Sequence, residues 1–334
     1  MVNLVELRHV VELLDGCAPR RVVDKALRTA ELDRSMLNGA KGFIPYAAEA
    51  VLVESVARSL GERHLGAKLG AKFDYMTYGA YSVYVLSAPN LATALDRGRR
   101  AMIFIHPGSK IVLRQTDTHL VVGRDSVGLT VIGHRHLDEG APFVISQVAH
   151  HFLGSDWTPD WVELPDVRDR DMKTLQDLIG TEIRTDCQIP SVAIRLTDLS
   201  ALNPGPPESD QPLSLNELEA LMGVSPAQSA VDAVEQILSI SSEQSVPDEK
   251  RAARLLATSP RTLQRALKLE GTTFRDVRSV FVAKRAERLL ATTETPINEI
   301  ARKLGYSEAR AFRRAFRKTT GLSPGEFRKN RKSR

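Results

Sequence analysis

Two eight-residue segments near the carboxyl end of the chain share one order of residue types. The order is basic, any, apolar, polar, basic, alanine, apolar, basic, and it runs from Arg261 to Lys268 and again from Arg310 to Arg317. At 100° per residue, the first, fourth, fifth and eighth positions share one helix face, and the apolar third and seventh lie opposite. Each segment is therefore predicted to be a helix with one face in a core and long hydrogen-bond donors on the other.

The donors on these faces suit contacts with nucleic acid. A guanidinium group can donate two hydrogen bonds to guanine, and a glutamine amide can pair in the same way with adenine. Lysine and arginine elsewhere on such a face meet phosphates and set orientation. The candidate DNA-contacting residues are Arg261, Gln264, Arg265, Lys268, Arg310, Arg313, Arg314 and Arg317.

One lead-in precedes both segments, from Ala253 to Ser259 and from Ala301 to Ser307: alanine, two residues, leucine, two residues, serine. The alanine lets a first helix approach a second closely, the leucine fills the shared core, and the serine is predicted to cap the second helix. Gly305 suits a left-handed turn, whereas the first copy has Ala257 there, so its turn must be built differently. The candidate capping or phosphate-contacting residues are Ser259, Thr262 and Ser307.

Charge is segregated along the chain. Residues 248–334 hold 23 Lys and Arg against 9 Asp and Glu, so the remaining residues hold 23 against 32 of the totals of 46 and 41. A basic segment beside an acidic remainder is what a domain facing a polyanion needs, although a solvated basic surface is the competing interpretation. Two copies at matched helical phase, each with its own lead-in, favour DNA.

Length and proline content predict two folded units. A chain of 334 residues with 42% hydrophobic residues exceeds the usual size of one domain and can build real cores. Residues 203–213 hold four prolines in eleven positions, which no helix or central strand accepts. We predict an α+β sensing or dimerising domain at 1–203, a linker at 204–213 and an all-α domain at 214–334 with its core at 226–330.

Hydrophobic periodicity predicts the elements of both domains. In the first domain, helices are predicted at 4–14, 46–60, Pro142–Leu153 and Asp171–Ile179. A further helix is predicted to begin at Ser87 and Pro89 and to run through Leu95 to Met102. The predicted strands are Tyr78–Leu86, Ile111–Arg114, Leu120–Val122, Leu129–Ile132 and Val192–Leu196. In the second, helices are predicted to begin at Ser214, Ser225-Pro226, Ser259-Pro260 and Thr295-Pro296, and Thr273 to cap a connecting helix, Phe274–Thr292.

Other residue patterns carry weaker signals. Without a signal peptide or an apolar run of membrane-spanning length, we expect a cytoplasmic protein. We expect no enzyme, cofactor or metal, because phosphate-binding loops, nucleophile elbows and zinc-binding helices are absent from the sequence. We expect the histidines to be packed or exposed rather than metal ligands: His134, His136, His150 and His151. We expect the tyrosines to form a core or dimer face: Tyr75, Tyr78, Tyr81 and Tyr84. Trp157 and Trp161 are expected to cover the edge of a core.

The stretch from Pro296 to Arg328 resembles the AraC/XylS family signature, including Leu304-Gly305-Tyr306-Ser307 and Gly321-Leu322-Ser323-Pro324. The segment from Ser259 to Gly271 is similar to that family's first helix-turn-helix. The resemblance implies that the helix faces named above meet DNA, with a phosphate or scaffold contact as the alternative role of Arg314. The family's connecting helix often carries arginine at the position that Val282 occupies here, which leaves the docking of that helix open.

Residues 20–200 resemble the arabinose-binding-type regulatory domain of the OruR and VirS type of AraC-family regulators, through His64–Gly70, Ser87–Leu91 and Trp157–Pro165. This resemblance implies a ligand-responsive regulator, commonly an activator, with promoter DNA, RNA polymerase, an unidentified small-molecule effector and a second copy of itself as partners in the bacterial nucleoid. Two alternatives stay open. One is a repair enzyme with a methyl-accepting thiol at Cys17 or Cys187; the other is an architectural protein that binds DNA without regard to sequence.

Overall fold

The computed structural model describes residues 1–37, 41–126, 131–165, 167, 169–185, 187–205, 213–240, 246–256 and 258–332. Contacts divide the chain into two compact units. The first comprises Met1–Arg34 and Phe43–Pro226, and the second Ser35–Gly42 and Ala227–Arg334. Among the described residues, no helix combines the length and apolar character needed to cross a bilayer.

The first unit is a mixture of helices and strands. Its helices are α1 Leu4–Cys17, α2 Arg20–Thr29, α3 Tyr46–Leu60, α4 Leu65–Gly70, α5 Ala80–Leu86, α6 Leu91–Ala101, α7 His134–Leu153, α8 Asp169–Ile179 and α9 Leu215–Met222. Its strands are β1 Val2–Asn3, β2 Phe43–Ile44, β3 Lys110–Gln115, β4 His119–Asp125, β5 Trp161–Glu163, β6 Glu182–Arg184 and β7 Ser191–Arg195.

Five of these strands form one sheet in the order β3-β4-β7-β5-β6. All neighbours are antiparallel except β5 and β6. Strand β4 has its residues from Val121 to Arg124 buried, and α7 packs against it. The short strands β1 and β2 pair separately. The predicted α+β class of this unit is thus confirmed.

The strand predicted at Tyr78–Leu86 is wrong. Residues Tyr75–Tyr78 form a 3₁₀ turn, Gly79 has φ of 61°, and α5 follows. The strand prediction rested on the tyrosine and valine content of this segment. Tyr75, Tyr78, Tyr81 and Tyr84 are each 5–6% exposed, so all four are core residues of helical segments. The strand predicted at Leu129–Ile132 lies partly outside the described residues, and its last two residues form a turn before α7.

The second unit is helical throughout its described part. Its helices are α10 Ala230–Ile240, α11 Glu249–Leu255, α12 Pro260–Leu269, α13 Phe274–Thr292, α14 Ile297–Lys303, α15 Ala309–Thr320 and α16 Pro324–Lys332. The predicted connecting helix is confirmed with its cap, because the Thr273 side chain accepts a hydrogen bond from the Asp276 amide.

Two boundaries differ from those predicted. The units meet at Pro226 rather than within 204–213, because α9 packs on α5 of the first unit. Residues 206–212 lie outside the described residues. Ser225-Pro226 starts no helix; α10 begins at Ala230, and Ser229 accepts a hydrogen bond from the amide of Asp232. The capping box at Ser214 is confirmed at the start of α9.

Candidate nucleic-acid interface

Helices α11 and α12 form the first helix-turn-helix. Ala253, in α11, is fully buried, and the amide of Thr258 donates to its carbonyl oxygen at 2.9 Å, which closes the turn. Ser259 then caps α12 by accepting from the amide of Thr262, and Pro260 occupies the first helical position. That position suits proline, which has no amide hydrogen to leave unpaired. Ala257, at the turn position where the second copy has glycine, lies outside the described residues.

Helices α14 and α15 form the second helix-turn-helix with the same turn hydrogen bond. The amide of Tyr306 donates to the carbonyl of buried Ala301 at 3.0 Å. Gly305 has φ of 77°, as predicted for this position. A left-handed residue here lets the chain reverse between the two helices.

Ser307 does not cap α15, contrary to the prediction. The helix begins at Ala309, its capping position is Glu308, and no side chain there accepts an amide hydrogen bond. The second copy has one more residue than the first between the serine and the recognition segment, and it lacks the proline that fixes the start of α12. Ser307 is exposed in the turn.

The predicted division of faces is present on both recognition helices. Leu263 and Leu267 on α12 and Phe312 and Phe316 on α15 are at most 4% exposed. The remaining positions of interest are all exposed: Arg261, Gln264, Arg265, Lys268, Arg310, Arg313, Arg314 and Arg317.

The exposed arginines differ in their local partners. Within the described part of the chain, Arg261, Arg265, Arg310 and Arg314 form no ion pair or side-chain hydrogen bond with protein. Arg313 donates through Nη2 to Oδ1 of Asn298 on α14 at 3.1 Å. The guanidinium of Arg313 is thus oriented by α14, the first helix of the same helix-turn-helix. The residue pattern did not suggest this role for Asn298.

An aromatic cluster fixes α15 against its neighbours. Phe312 lies 5.5 Å from Tyr306 and 5.7 Å from Phe316, and Phe316 lies 5.8 Å from Phe327 of α16, measured between ring centroids. Such pairs stabilise by roughly 0.5–1.5 kcal/mol beyond the burial of their area. The basic face of α15 is therefore carried by a rigid helix.

Helix α13 connects the two helix-turn-helix motifs, and one of its faces is buried. Val282 and Ala286 are at most 2% exposed, and α10 and α15 both pack on α13. The arginine that the family often carries at position 282 would have to enter this core in the present chain. Any phosphate contact from α13 must come from its exposed face, for example from Lys284.

Glu270 is a structural residue that the pattern did not identify. It follows α12, and its two carboxylate oxygens accept the amides of Ala230 and Val231 at 2.7 and 3.0 Å. A carboxylate at this place satisfies amides at the start of α10 and faces the positive end of its dipole. The end of the first recognition helix is thereby fastened to α10.

Cys17 lacks the surroundings of a methyl acceptor. Cys17 donates to the carbonyl of Leu14, and burial raises the pKa of this thiol, the opposite of the shift that activates a nucleophile. The histidines are engaged with protein: for example, His136 hydrogen-bonds Glu54 at 2.9 Å and His150 the Trp157 carbonyl at 2.9 Å. Across the described ranges, no group of three or more histidine, cysteine, aspartate or glutamate side chains could hold a metal ion.

Two family models match the chain. A helix-turn-helix domain matches residues 252–330, and the arabinose-binding domain of AraC transcription regulators, N-terminal, matches residues 22–201. The ornithine utilization regulator of Pseudomonas aeruginosa is 25% identical over 339 residues, 98% of this chain and 96% of that protein. The regulator VqsM of Pseudomonas aeruginosa is 40% identical over 88 residues, 25% of this chain and 27% of that protein. The crystal structure of CdpR from Pseudomonas aeruginosa has 20% identity and a TM-score of 0.42, covering 97% of this chain and 98% of that one.

A sheet-containing unit followed by two helix-turn-helix units with exposed basic recognition helices defines a DNA-binding transcription regulator with an N-terminal ligand-binding domain. Its relatives and its domain models are likewise regulators rather than enzymes. The chain belongs to the AraC family, because the N-terminal model alone spans more than half of its residues.

Proposed function

We propose that the chain binds promoter DNA sequence-specifically through α12 and α15, activates transcription, and is controlled by a small molecule bound in its first unit. The observation that carries the DNA-binding part is the pair of exposed basic faces, each opposite a buried apolar face on the second helix of a helix-turn-helix. That placement is the one from which a recognition helix reads the major groove.

The two faces are proposed to read different bases. Gln264 on α12 supplies a side chain suited to adenine, whereas the corresponding position on α15 is Arg313, suited to guanine. Lys268 and Arg317, at the last position of each segment, are proposed to meet phosphates together with Arg314. Ser259 and Thr262, at the start of α12, lie where a phosphate would meet the helix amino terminus.

Substitution of the base-reading candidates tests this assignment. We expect Arg261→Ala or Gln264→Ala to weaken binding to the chain's own upstream DNA by about 1–3 kcal/mol, with little effect on random duplex, because base contacts carry sequence information. Binding is measured by fluorescence anisotropy at fixed salt.

Arg21→Ala is the matched control, since Arg21 is an exposed helical arginine of the first unit. Equal losses on specific and random DNA would reduce Arg261 and Gln264 to sequence-independent contacts. Equal affinity of the unchanged protein for unrelated duplexes would instead support the architectural alternative.

Small-molecule control and activation are tested in a reporter strain. An effector must bind two states of the protein with different affinity, or its binding shifts nothing. We expect transcription from the upstream promoter to rise with effector, and to stay low when the regulator is deleted. A rise on deletion would identify a repressor.

The same proposal includes a homodimer in the bacterial cytoplasm that contacts RNA polymerase at the nucleoid. The inference of a dimer comes from the regulatory domain type that matches residues 22–201. Light scattering of the purified chain, alone and with operator DNA, measures its mass; a monomer on both would contradict this part.

A further inference from the structure

The second recognition helix carries one arginine whose guanidinium is held by protein. Nη2 of Arg313 donates to Oδ1 of Asn298 at 3.1 Å, and both side chains are exposed. Among the described residues, this is the one hydrogen bond that the Arg313 side chain makes with protein. It joins α15 to α14, so both helices of one helix-turn-helix place this side chain.

The amide group of Asn298 has a fixed orientation in this contact. A guanidinium nitrogen only donates hydrogen bonds, so the amide atom that faces Arg313 must be the oxygen. The amide nitrogen, Nδ2, lies on the other side of the group, and within the described part of the chain it donates to no protein atom. Asn298 therefore presents a hydrogen-bond donor to a partner outside the protein.

The position of Asn298 suits a phosphate as that partner. In a helix-turn-helix bound to DNA, the first helix crosses the sugar-phosphate backbone while the second lies in the major groove. Asn298 is the second residue of the first helix, α14, and Arg313 lies on the second helix, α15. The adjacent carboxylate, Glu299, forms an ion pair with Arg302 at 3.8 Å. An amide donor and a phosphate oxygen can therefore meet at this place.

A neutral acceptor also preserves the charge that DNA binding requires. A carboxylate at this place would neutralise the guanidinium of Arg313 and repel phosphates. The amide oxygen instead fixes the direction of Nη2. It leaves the second hydrogen of Nη2 and the hydrogens of Nη1 and Nε for guanine, whose O6 and N7 accept two of them. Asn298 thus orients Arg313 without weakening the attraction of the guanidinium to DNA.

The first helix-turn-helix has no such contact. Lys250 and Gln264 occupy the places in α11 and α12 that Asn298 and Arg313 occupy in α14 and α15. A lysine ammonium has no acceptor, and no hydrogen bond joins Lys250 to Gln264, both of which the structure describes. The two motifs therefore differ in how firmly their base-reading side chains are placed.

We propose that Asn298 is a positioning residue that links a DNA phosphate to the base that Arg313 reads. Its Nδ2 donates to the phosphate, and its Oδ1 holds Nη2 of Arg313 in the direction of guanine. The inference rests on the proposed sequence-specific binding through α15. It makes this guanine the most sharply selected base of the second recognition helix, because Arg310 has no partner in the described residues to orient it.

Nuclear magnetic resonance relaxation of the arginine Nε–Hε groups tests the contact without DNA. In the full chain, we expect the Nε–Hε group of Arg313 to be more ordered than that of Arg310. Asn298→Ala should lower the order of Arg313 to that of Arg310, whereas Asn298→Asp, which keeps an acceptor, should preserve it. Equal order of the two arginines in the unchanged protein would overturn the proposal.

Binding to the chain's own upstream DNA, with each base pair replaced in turn, tests the effect on specificity. The base pair that Arg313 reads is the one whose guanine preference disappears in Arg313→Ala. At that base pair, we expect Asn298→Ala to reduce the preference at least fivefold and to leave the preferences at other positions unchanged. Lys250→Ala, the matched change in the first motif, should alter the preference at no position.

Asn298→Asp separates the two ends of the link. This variant keeps the acceptor for Arg313 but replaces the donor by a charge that repels phosphate. The guanine preference should therefore persist, while affinity for specific and random duplexes falls at least fivefold at low salt and less at high salt. Because Asn298 is exposed, we expect all its variants to fold. An affinity that Asn298→Asp leaves unchanged would contradict the phosphate contact.

The outcomes separate this inference from the proposed function. An unchanged protein that prefers no base at any position contradicts sequence-specific binding, and this inference with it. If base preferences exist but none depends on Arg313, or if the one that does is unaffected by Asn298→Ala, only the role of Asn298 is contradicted.

Discussion

At the scale of single residues, the recognition faces differ in how far their arginines are oriented before DNA arrives. Arg313 is already hydrogen-bonded to Asn298, whereas Arg261 and Arg310 extend from their helices without a protein partner in the described part of the chain. Ordering a long side chain on binding costs about 0.5–1.5 kcal/mol. Arg313 therefore loses less conformational freedom when it meets a base.

The residue types of these faces were readable from the sequence, but their partners were not. Spacing alone placed Arg261 and Gln264 on an exposed face, because helical period fixes which side chains share a face. The Asn298 and Glu270 contacts depend on how separate helices pack. No local pattern encodes such contacts.

Asp160 contributes to the stability of the first unit in acid. Asp160 receives two hydrogen bonds from Arg195, both at 2.8 Å, and lies 2.7 Å from Nε2 of His119. The Arg195 hydrogen bonds, followed by that of His119, lower the pKa of Asp160 from 3.8 to about 2. Its ionised form therefore stabilises the fold above pH 3.8, and this stabilisation is lost as pH falls toward 2.

We expect Asp160→Asn to lower the free energy of unfolding at pH 6 by of the order of 1 kcal/mol, after allowance for solvent screening. The difference from the unchanged protein should shrink between pH 4 and 3. Urea unfolding at several pH values measures it. Asp96→Asn, at an exposed pair with Arg99 on α6, is the control, and a pH-independent difference would contradict the argument.

At the scale of elements, the helical period was predicted well and the tyrosine-rich segment was not. Helix α13 has the bounds that the sequence predicted. The cap at Thr273, the helical period of its apolar residues and the β-branched Thr292 at its end all indicate the same helix. Residues 75–86 combine strand-forming residue types with a spacing of three, and tertiary burial of the tyrosines decided for helical backbone. Strands β5 and β6 have three residues each, too few to show a period.

The turn between α14 and α15 depends on a residue in the left-handed conformation. Gly305 has φ of 77°, a conformation that costs other residues about 1–2 kcal/mol. Gly305→Ala should therefore lower the thermal midpoint of the second unit, followed by circular dichroism, and weaken operator binding in parallel.

Gly16→Ala provides the control for this substitution. Gly16 lies within α1, and a Cβ there meets no atom within 4 Å. Alanine in a helix interior is favoured by about 0.5–1 kcal/mol over glycine. Gly16 is the last residue but one of α1, so this variant should gain a smaller stabilisation. A gain at position 305 as well would show that the turn does not need a left-handed residue.

At the scale of the whole molecule, charge and fold are divided between the two units. The sequence predicted that α9 belongs to the second domain, whereas α9 packs on α5 of the first unit. A proline-rich stretch marks a break in the chain but does not show which side the next helix packs on. The basic excess of residues 248–334 lies in the unit that carries both recognition helices.

This division predicts a steep salt dependence of DNA binding. Each phosphate neutralised releases counterions, so six to ten contacts would weaken binding roughly 10³- to 10⁵-fold between 50 and 200 mM salt. Anisotropy titrations at four salt concentrations give the slope. The logarithm of the binding constant should fall with the logarithm of the salt concentration at a similar slope for specific and random duplexes, so the ratio of the two affinities stays constant. A ratio that falls to one as salt rises would contradict base reading.

Both tryptophans of the chain, Trp157 and Trp161, belong to the first unit, and the Arg184 guanidinium lies 3.8 Å from the ring of Trp161. Emission excited at the red edge of the indole band therefore reports on the first unit alone, because the second unit has no tryptophan. In the intact protein, helix ellipticity follows both units and indole emission follows the first. Recording both signals in one denaturation therefore separates the unfolding of the second unit without cutting the chain or attaching a label.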